Sequence, residues 1–154
     1  MGHLKILIDN QQKKEISTDT IRQKTKQILN ALGYDTHEIS IVITDNAQIQ
    51  QLNKTYRKVD KPTNVLAFPM QEGKFADITP GLLGDIVISC EKAQQEADSA
   101  NISIDERISQ LLIHGILHLV GFDHETSPGD AQNMENKSLA LLRKIEPNKD
   151  LNVF

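Results

Sequence analysis

Three of the five histidines, His114, His118 and His124, fall within eleven residues at the spacing H-x3-H-x5-H. Residues four apart on a helix lie one turn above the other on the same face. His114 and His118 can therefore present two imidazoles to one ion. Gly121, between the second and third histidines, is the residue type that adopts a left-handed backbone without penalty. There it would end the helix and swing His124 back as a third ligand. Three protein nitrogens with a fourth position open suit a catalytic zinc better than a closed structural site. Nickel, copper and iron also accept imidazoles, with zinc the default. A purely structural role stays open. Residues 111–120 carry seven aliphatics, so this helix should be largely buried, and each imidazole in it needs a partner. One shared ion would satisfy both. His3, near the start, and His37, at a strand entry, are read as solvated or locally hydrogen-bonded.

The pattern keeps the spacing of the metzincin protease motif H-E-x-x-H-x-x-G-x-x-H. Gly115, however, stands where that motif has the glutamate that activates the zinc-bound water. A glycine cannot be that base, and no clear methionine turn follows, since Met134 sits in a helical pattern. What remains is a metal able to lower the pKa of a bound water and act as a Lewis acid. Such a site needs a helper for the charge that develops on the substrate. Arg57 is the candidate, because a guanidinium can hold two phosphate oxygens at once. It lies among Lys54, Lys58 and Lys61, with Asp60 the one opposing charge in that stretch. The cluster can equally be a solvated helix face.

The elements that must position these residues can be read from periodicity. Residues 4–8 read as a strand. Ser17 or Thr18 should cap a helix that runs to about Leu32 and stops at Gly33. Residues 38–44 alternate as a strand. Asp45 should cap a helix carrying Ile49, Leu52 and Tyr56. The stretch Asp60-Lys61-Pro62-Thr63-Asn64 breaks that helix. Val65 to Phe68 reads as a short strand that Pro69 ends or marks as an edge. Residues 71–83 read as a loop, Gly84-Asp85 as the lead into a strand over Ile86 to Ile88, and Ser89 to Ala100 as a polar helix. The most apolar helix spans Ile104 to Val120. An amphipathic helix follows from about Pro128 to Ile145, and Glu146 to Phe154 is expected to be loose. Strands and helices mix without strict alternation. The expected class is α+β, a small mixed β-sheet packed with about five helices, with a metalloprotease-like (zincin-like) metal-site helix.

The chain of 154 residues suits one domain, residues 1–154. At 38% hydrophobic and 25% charged, it is neither disordered nor low-complexity. No apolar run is long enough to span a membrane. The single cysteine, Cys90, excludes an internal disulfide and a cysteine-based zinc cluster. Residues 1–6 lack the long apolar core of a signal peptide, so a cytoplasmic protein is expected. A net charge of −4 gives no global nucleic-acid footprint, and any such partner must meet a local basic patch. At 4% aromatic residues and no Trp, a broad stacking platform is not expected. Tyr56 and Phe68 could stack on a base, but their spacing favours the core.

Taken together, three blocks carry a family resemblance. His114-Gly115-x-x-His118-Leu119-x-Gly121-Phe122-Asp123-His124 resembles the signature of the YbeY family of bacterial endoribonucleases, also called rRNA maturation factors. Leu52-Asn53-Lys54-Thr55-Tyr56-Arg57-x-x-Asp60-Lys61-Pro62-Thr63-Asn64-Val65-Leu66-Ala67-Phe68-Pro69 is similar to its central block. Leu83-Gly84-Asp85-Ile86-Val87-Ile88-Ser89 is similar to its following strand. The resemblance covers nearly the whole chain and is densest from residue 52 to 124. It implies a compact α+β fold with a three-histidine zinc site at the end of a cleft, one Zn2+ per chain, held by His114, His118 and His124. It also implies an endoribonuclease acting on single-stranded RNA rather than DNA. The implied role is maturation of the small-subunit rRNA 3′ end and ribosome quality control, with the ribosome and ribosome-associated proteins as partners. Arg57 takes the place of the family's functionally important arginine, and His114 is counted with it in catalysis. Asn64 stands where Asp is frequent in the family, and Ala67 where Ser is frequent.

Several neighbours have two readings each. Asp85 can orient a ligand imidazole or hold the loop beside it, or serve a turn or the start of a strand. Asp123 and Glu125 can act as a base, support His124, cap the helix end or sit in solvent. At the level of function, the alternatives are a metal-stabilised ribosome-assembly binding factor and a metal hydrolase of the protease type without the usual Glu base.

Overall fold

In the computed structural model, residues 4–70, 81–122 and 128–152 are described. Four strands and five helices follow one another as β1 (Lys5–Asn10), α1 (Thr18–Leu32), β2 (Glu38–Thr44), α2 (Asn46–Arg57), β3 (Val65–Pro69), β4 (Leu82–Ser89), α3 (Cys90–Ala100), α4 (Ile104–Leu119) and α5 (Pro128–Ile145). The strands form one sheet in the order β1-β2-β4-β3. β1 runs parallel to β2, and β2 parallel to β4. β3 is antiparallel to β4 and closes one edge. This is the mixed-sheet α+β class expected from the element pattern.

Alternation along the strands sorts side chains to two faces. Ile39, Ile41, Ile43, Ile86 and Ile88 share the main core with Ile28 and Leu29 of α1, Leu111, Leu112 and Ile116 of α4, and Leu141 and Leu142 of α5. On the opposite face Leu66 and Val87 form a small second core with Ile49 of α2. The long sheet strands are therefore apolar on both faces, as the continuous run Ile41-Val42-Ile43 requires. No described helix is long and apolar enough to cross a membrane.

Local sequence sets the helix ends. Ser17, Asp45, Ser89 and Ser103 each accept a backbone N–H from the first turn of the helix that follows. At Ser103 the cap is reciprocal: its hydroxyl accepts from Glu106 N–H while the Glu106 carboxylate accepts from Ser103 N–H at 2.9 Å. α2 ends at Lys58, a non-glycine residue in the left-handed region at φ 63°, a few residues before the Pro62 break. Asn53, buried in α2, then donates its amide to the Lys61 carbonyl at 2.9 Å and fixes the loop that follows.

Two expectations change. β4 begins at Leu82 rather than Ile86, so Gly84 and Asp85 lie inside the ladder opposite Pro69 and Phe68. Gly84 has φ +141°, and a Cβ there would stand 2.2 Å from the Phe68 carbonyl oxygen. Only glycine lets the strands meet at this point. The residues after α5 are not loose through Asn152. Leu151 is buried in the core, and the Asn152 carbonyl accepts from Gln110 at 2.6 Å. Glu146 is also buried, held by Ser109 Oγ at 2.6 Å and Lys24 at 2.7 Å. An apolar anchor at the far end of a polar tail was enough to order it.

Candidate active site

α4 packs beneath β3 and β4, and its two histidines lie on one half-buried face. His114 Nε2 and His118 Nε2 are 3.1 Å apart, with ring centroids at 4.5 Å and planes at 74°. One neutral imidazole can donate to the other, whereas two protonated rings would repel. Two tetrahedral ligands about 2.0–2.1 Å from one zinc stand roughly 3.3 Å apart. The pair is thus already set at a spacing that one ion can share.

The helix ends as the glycine implied. Val120 is the cap, and Gly121 follows at φ +100°. Gly121 N–H donates to the His118 carbonyl at 3.2 Å, and Phe122 N–H to the Leu117 carbonyl at 2.9 Å. This is a Schellman turn, which reverses the chain immediately past the second histidine. Phe122 packs back on the main core. His124, Asp123 and Glu125 lie outside the described residues, as does His3. Among the described residues no group of three or more His, Cys, Asp or Glu converges on one point.

Gly115 has a positive role that the motif comparison did not reveal. A Cβ at this position would lie 3.1 Å from Ile86 Cδ1 and 3.3 Å from Ile86 Cγ2. The position faces the sheet, and its missing side chain lets α4 close onto β4. A glutamate here would point into Ile86, so the absent protease base reflects packing as well as chemistry.

Arg57, the last residue of α2, reaches the sheet edge. Its Nη2 donates to the Ala67 carbonyl at 2.8 Å, and its guanidinium carbon sits 6.0 Å from the centroid of the Phe68 ring. The Ala67 carbonyl takes one of five guanidinium donors. Ala67 is paired across the ladder with Ile86, the residue against which Gly115 packs. Arg57 and the helix that carries the histidine pair therefore meet the same rung of the sheet, Ala67 to Ile86.

The neighbouring cations are exposed, as a solvated helix face would be. Lys54 is 3.8 Å from Asp60, and Lys58 donates to the Thr55 carbonyl at 3.3 Å. Tyr56 departs from the core expectation: it is 64% exposed, and its ring meets Phe68 edge to face at 5.3 Å. Phe68 itself is half-buried. Asp85 sits mid-strand, opposite Phe68, rather than in a turn. His37 is half-buried against Tyr34, and its Nδ1 is buried without a hydrogen-bond partner. That differs from the solvated or hydrogen-bonded state expected of it. Cys90 is buried at the start of α3, where burial raises its thiol pKa.

The two departures from the family pattern also find a place. Asn64 donates its amide to both oxygens of Glu96, at 3.2 and 3.3 Å. An aspartate there would set carboxylate against carboxylate. Ala67 contributes its backbone to Arg57 and its small side chain to the α4 interface.

Comparison with known proteins extends these observations. Residues 7–146 match the family model described as endoribonuclease YbeY. An endoribonuclease YbeY of Geobacter metallireducens is 41% identical over 145 residues, covering 93% of this chain and 97% of the relative. One from Aquifex aeolicus is 42% identical over 135 residues, covering 86% and 88% respectively. The solution structure of a Thermotoga maritima protein shares the fold, with a TM-score of 0.63 and 21% identity over 92% of this chain and 88% of that one. The agreement spans the histidine helix, the arginine block and the strand between them, and this chain belongs to the endoribonuclease YbeY family.

Proposed function

We propose that this chain is a zinc-dependent endoribonuclease that cuts single-stranded RNA, acting in the maturation of the small-subunit rRNA 3′ end and in ribosome quality control. Family membership supports an enzyme that acts on RNA. The observation that carries the metal-dependent reading is the 3.1 Å contact between His114 Nε2 and His118 Nε2. His114 and His118 would hold the ion, with His124 as the third ligand beyond the Schellman turn. When bound, the ion supplies Lewis acidity and lowers the pKa of water towards about 7.

The chain's own residues do the rest. Arg57, anchored on the Ala67 carbonyl, keeps donors for two oxygens of one phosphate and balances the charge that builds on phosphorus. Lys54, Lys58 and Lys61 steer the backbone at a salt-dependent rate. A net charge of −4 opposes tight RNA binding by the chain alone. Targeting would then come from the ribosome and its associated proteins in the cytoplasm, with neither DNA nor a membrane as partner.

Chelation tests this reading. Treatment with a chelator should abolish cleavage of a single-stranded RNA while circular dichroism keeps most of the helical signal, and added zinc should restore cleavage. Unfolding on chelation would instead favour a metal-stabilised binding factor, because a structural zinc contributes about 10–16 kcal/mol to folding. In the same assay Arg57→Ala should lower the cleavage rate roughly 10²–10³-fold with the fold intact.

A further inference from the structure

Among the described residues only three large apolar side chains are strongly exposed, and two of them, Tyr56 at 64% and Val59 at 43%, flank Arg57 and Lys58. A chain with 4% aromatic residues would ordinarily use them in its core. Tyr56 is not simply adrift in solvent. Its ring stands edge to face on Phe68, with centroids 5.3 Å apart and planes at 67°. Phe68 also lies 6.0 Å from the Arg57 guanidinium carbon. Phe68 is in turn fixed within β3, opposite Asp85. The tyrosine is thus held in place from beneath by a residue of the sheet, while most of its surface remains in water.

The surroundings select what could cover that surface. Lys54, Lys58 and Lys61 are exposed and lie within five residues of it in the chain, Lys54 being 3.8 Å from Asp60, and Arg57 is its immediate chain neighbour. A flat apolar ring that shares Phe68 with a guanidinium, on a stretch rich in exposed lysines, is complementary to a group that is itself flat, aromatic and tethered to an anion. A nucleobase on its phosphate backbone has that chemistry, and base–aromatic stacking does not depend on which base is presented. A base inside a duplex is already stacked on both sides and is not available to the ring.

We propose that Tyr56 stacks on an unpaired base of the RNA strand whose phosphate is held by Arg57, and that this contact contributes the preference for single strands. The inference rests on the endoribonuclease reading and deepens it by assigning a base-binding residue. Tyr56 touches the substrate away from the bond that is cut, so its effect is on binding.

The test compares the parent chain, Tyr56→Phe and Tyr56→Leu by fluorescence anisotropy. The probes are a single-stranded oligoribonucleotide with 2′-O-methyl groups to keep it intact, and an abasic backbone of the same length. Tyr56→Leu should weaken binding of the base-bearing strand about 5- to 100-fold and leave the abasic strand unchanged. Tyr56→Phe should bind both like the parent. Equal binding of the base-bearing strand by parent and Tyr56→Leu would overturn the proposal, as would equal losses for the two probes or a parent that binds neither. Cleavage of unmodified RNA by the parent is scored separately. A stacking pattern without cleavage would count against the nuclease reading and not against the base contact.

Discussion

The two halves of α4 both carry partly buried polar side chains, and they resolve them in opposite ways. In the N-terminal half, Arg107 meets Glu96 at 3.0 Å and Gln110 at 2.7 Å. Gln110 passes on to the Asn152 carbonyl, and Asn64 donates to both oxygens of Glu96. Glu96, Arg107, Gln110 and Asn152 border a cleft of about 850 Å³ between α3, α4 and the residues after α5, yet their donors and acceptors are matched to one another. In the C-terminal half, two like groups are brought together, imidazole nitrogen to imidazole nitrogen at 3.1 Å. A buried cation beside an anion completes itself. In our proposal these two imidazoles share one cation, an arrangement that their 3.1 Å separation permits. Burial of polar groups therefore does not by itself mark a functional site; what sets the C-terminal half apart is that two groups of the same kind converge.

The largest change is expected at Gly115, which lies between the two histidines in the chain. Gly115→Glu would restore the sequence of a protease motif. Its side chain would enter Ile86, so the expected outcome is a loss of about 3 kcal/mol or more in stability and no peptidase activity. A thermal melt like the parent's, with new peptide hydrolysis, would show that this position faces the site and not the sheet.

The next effect tests the other half. Arg107→Met removes the cation and leaves the Glu96 carboxylate against Asn64. With Arg107 and Glu96 side chains 11% and 29% exposed, the loss should fall below that of a fully buried pair, at about 2–3 kcal/mol in urea unfolding. Cleavage per folded molecule should stay at the parent's value. A variant of full stability and no activity would place the function at this end of the helix.

The smallest effect sits at the start of α4. Ser103→Ala should cost about 1 kcal/mol without changing cleavage. Its partner Glu106 has a lowered carboxyl pKa, first through the Ser103 backbone N–H and then through the Asn148 side chain. That stabilisation is present above the ordinary glutamate pKa of about 4.3 and is lost as pH falls through the lower folded-state value. Glu106→Gln should flatten this part of the acid limb in a pH series of melts.

Much of the fold was legible because local signals agreed with the long-range ones. Ser17, Asp45, Ser89 and Ser103 cap as their types suggest, and Gly33 and Gly121 both close helices in the left-handed region. The order of strands and helices followed from periodicity. What was not legible depended on contacts distant in sequence. Gly84 read as the lead into a strand, and only the approach of the Phe68 carbonyl shows why it lies within one. Gly115 read as a missing base, and only Ile86 shows it as a packing contact. Tyr56 had core spacing on its helix, but the small second core ends at Ile49 and Leu52 and leaves it outside. The arrangement of His114 with His118 could be read from spacing alone, because helix geometry fixes it. The position of Arg57 could not, since it depends on the reach of α2 to the edge of β3.

If the histidine pair holds a catalytic ion, the parent and His118→Ala, purified side by side, should differ both in bound zinc per chain and in cleavage of one single-stranded RNA. The expected result is one ion and cleavage in the parent, and both lost in a His118→Ala protein that keeps its helical circular dichroism. Equal cleavage by the two proteins, or full activity in a parent without metal, would contradict it.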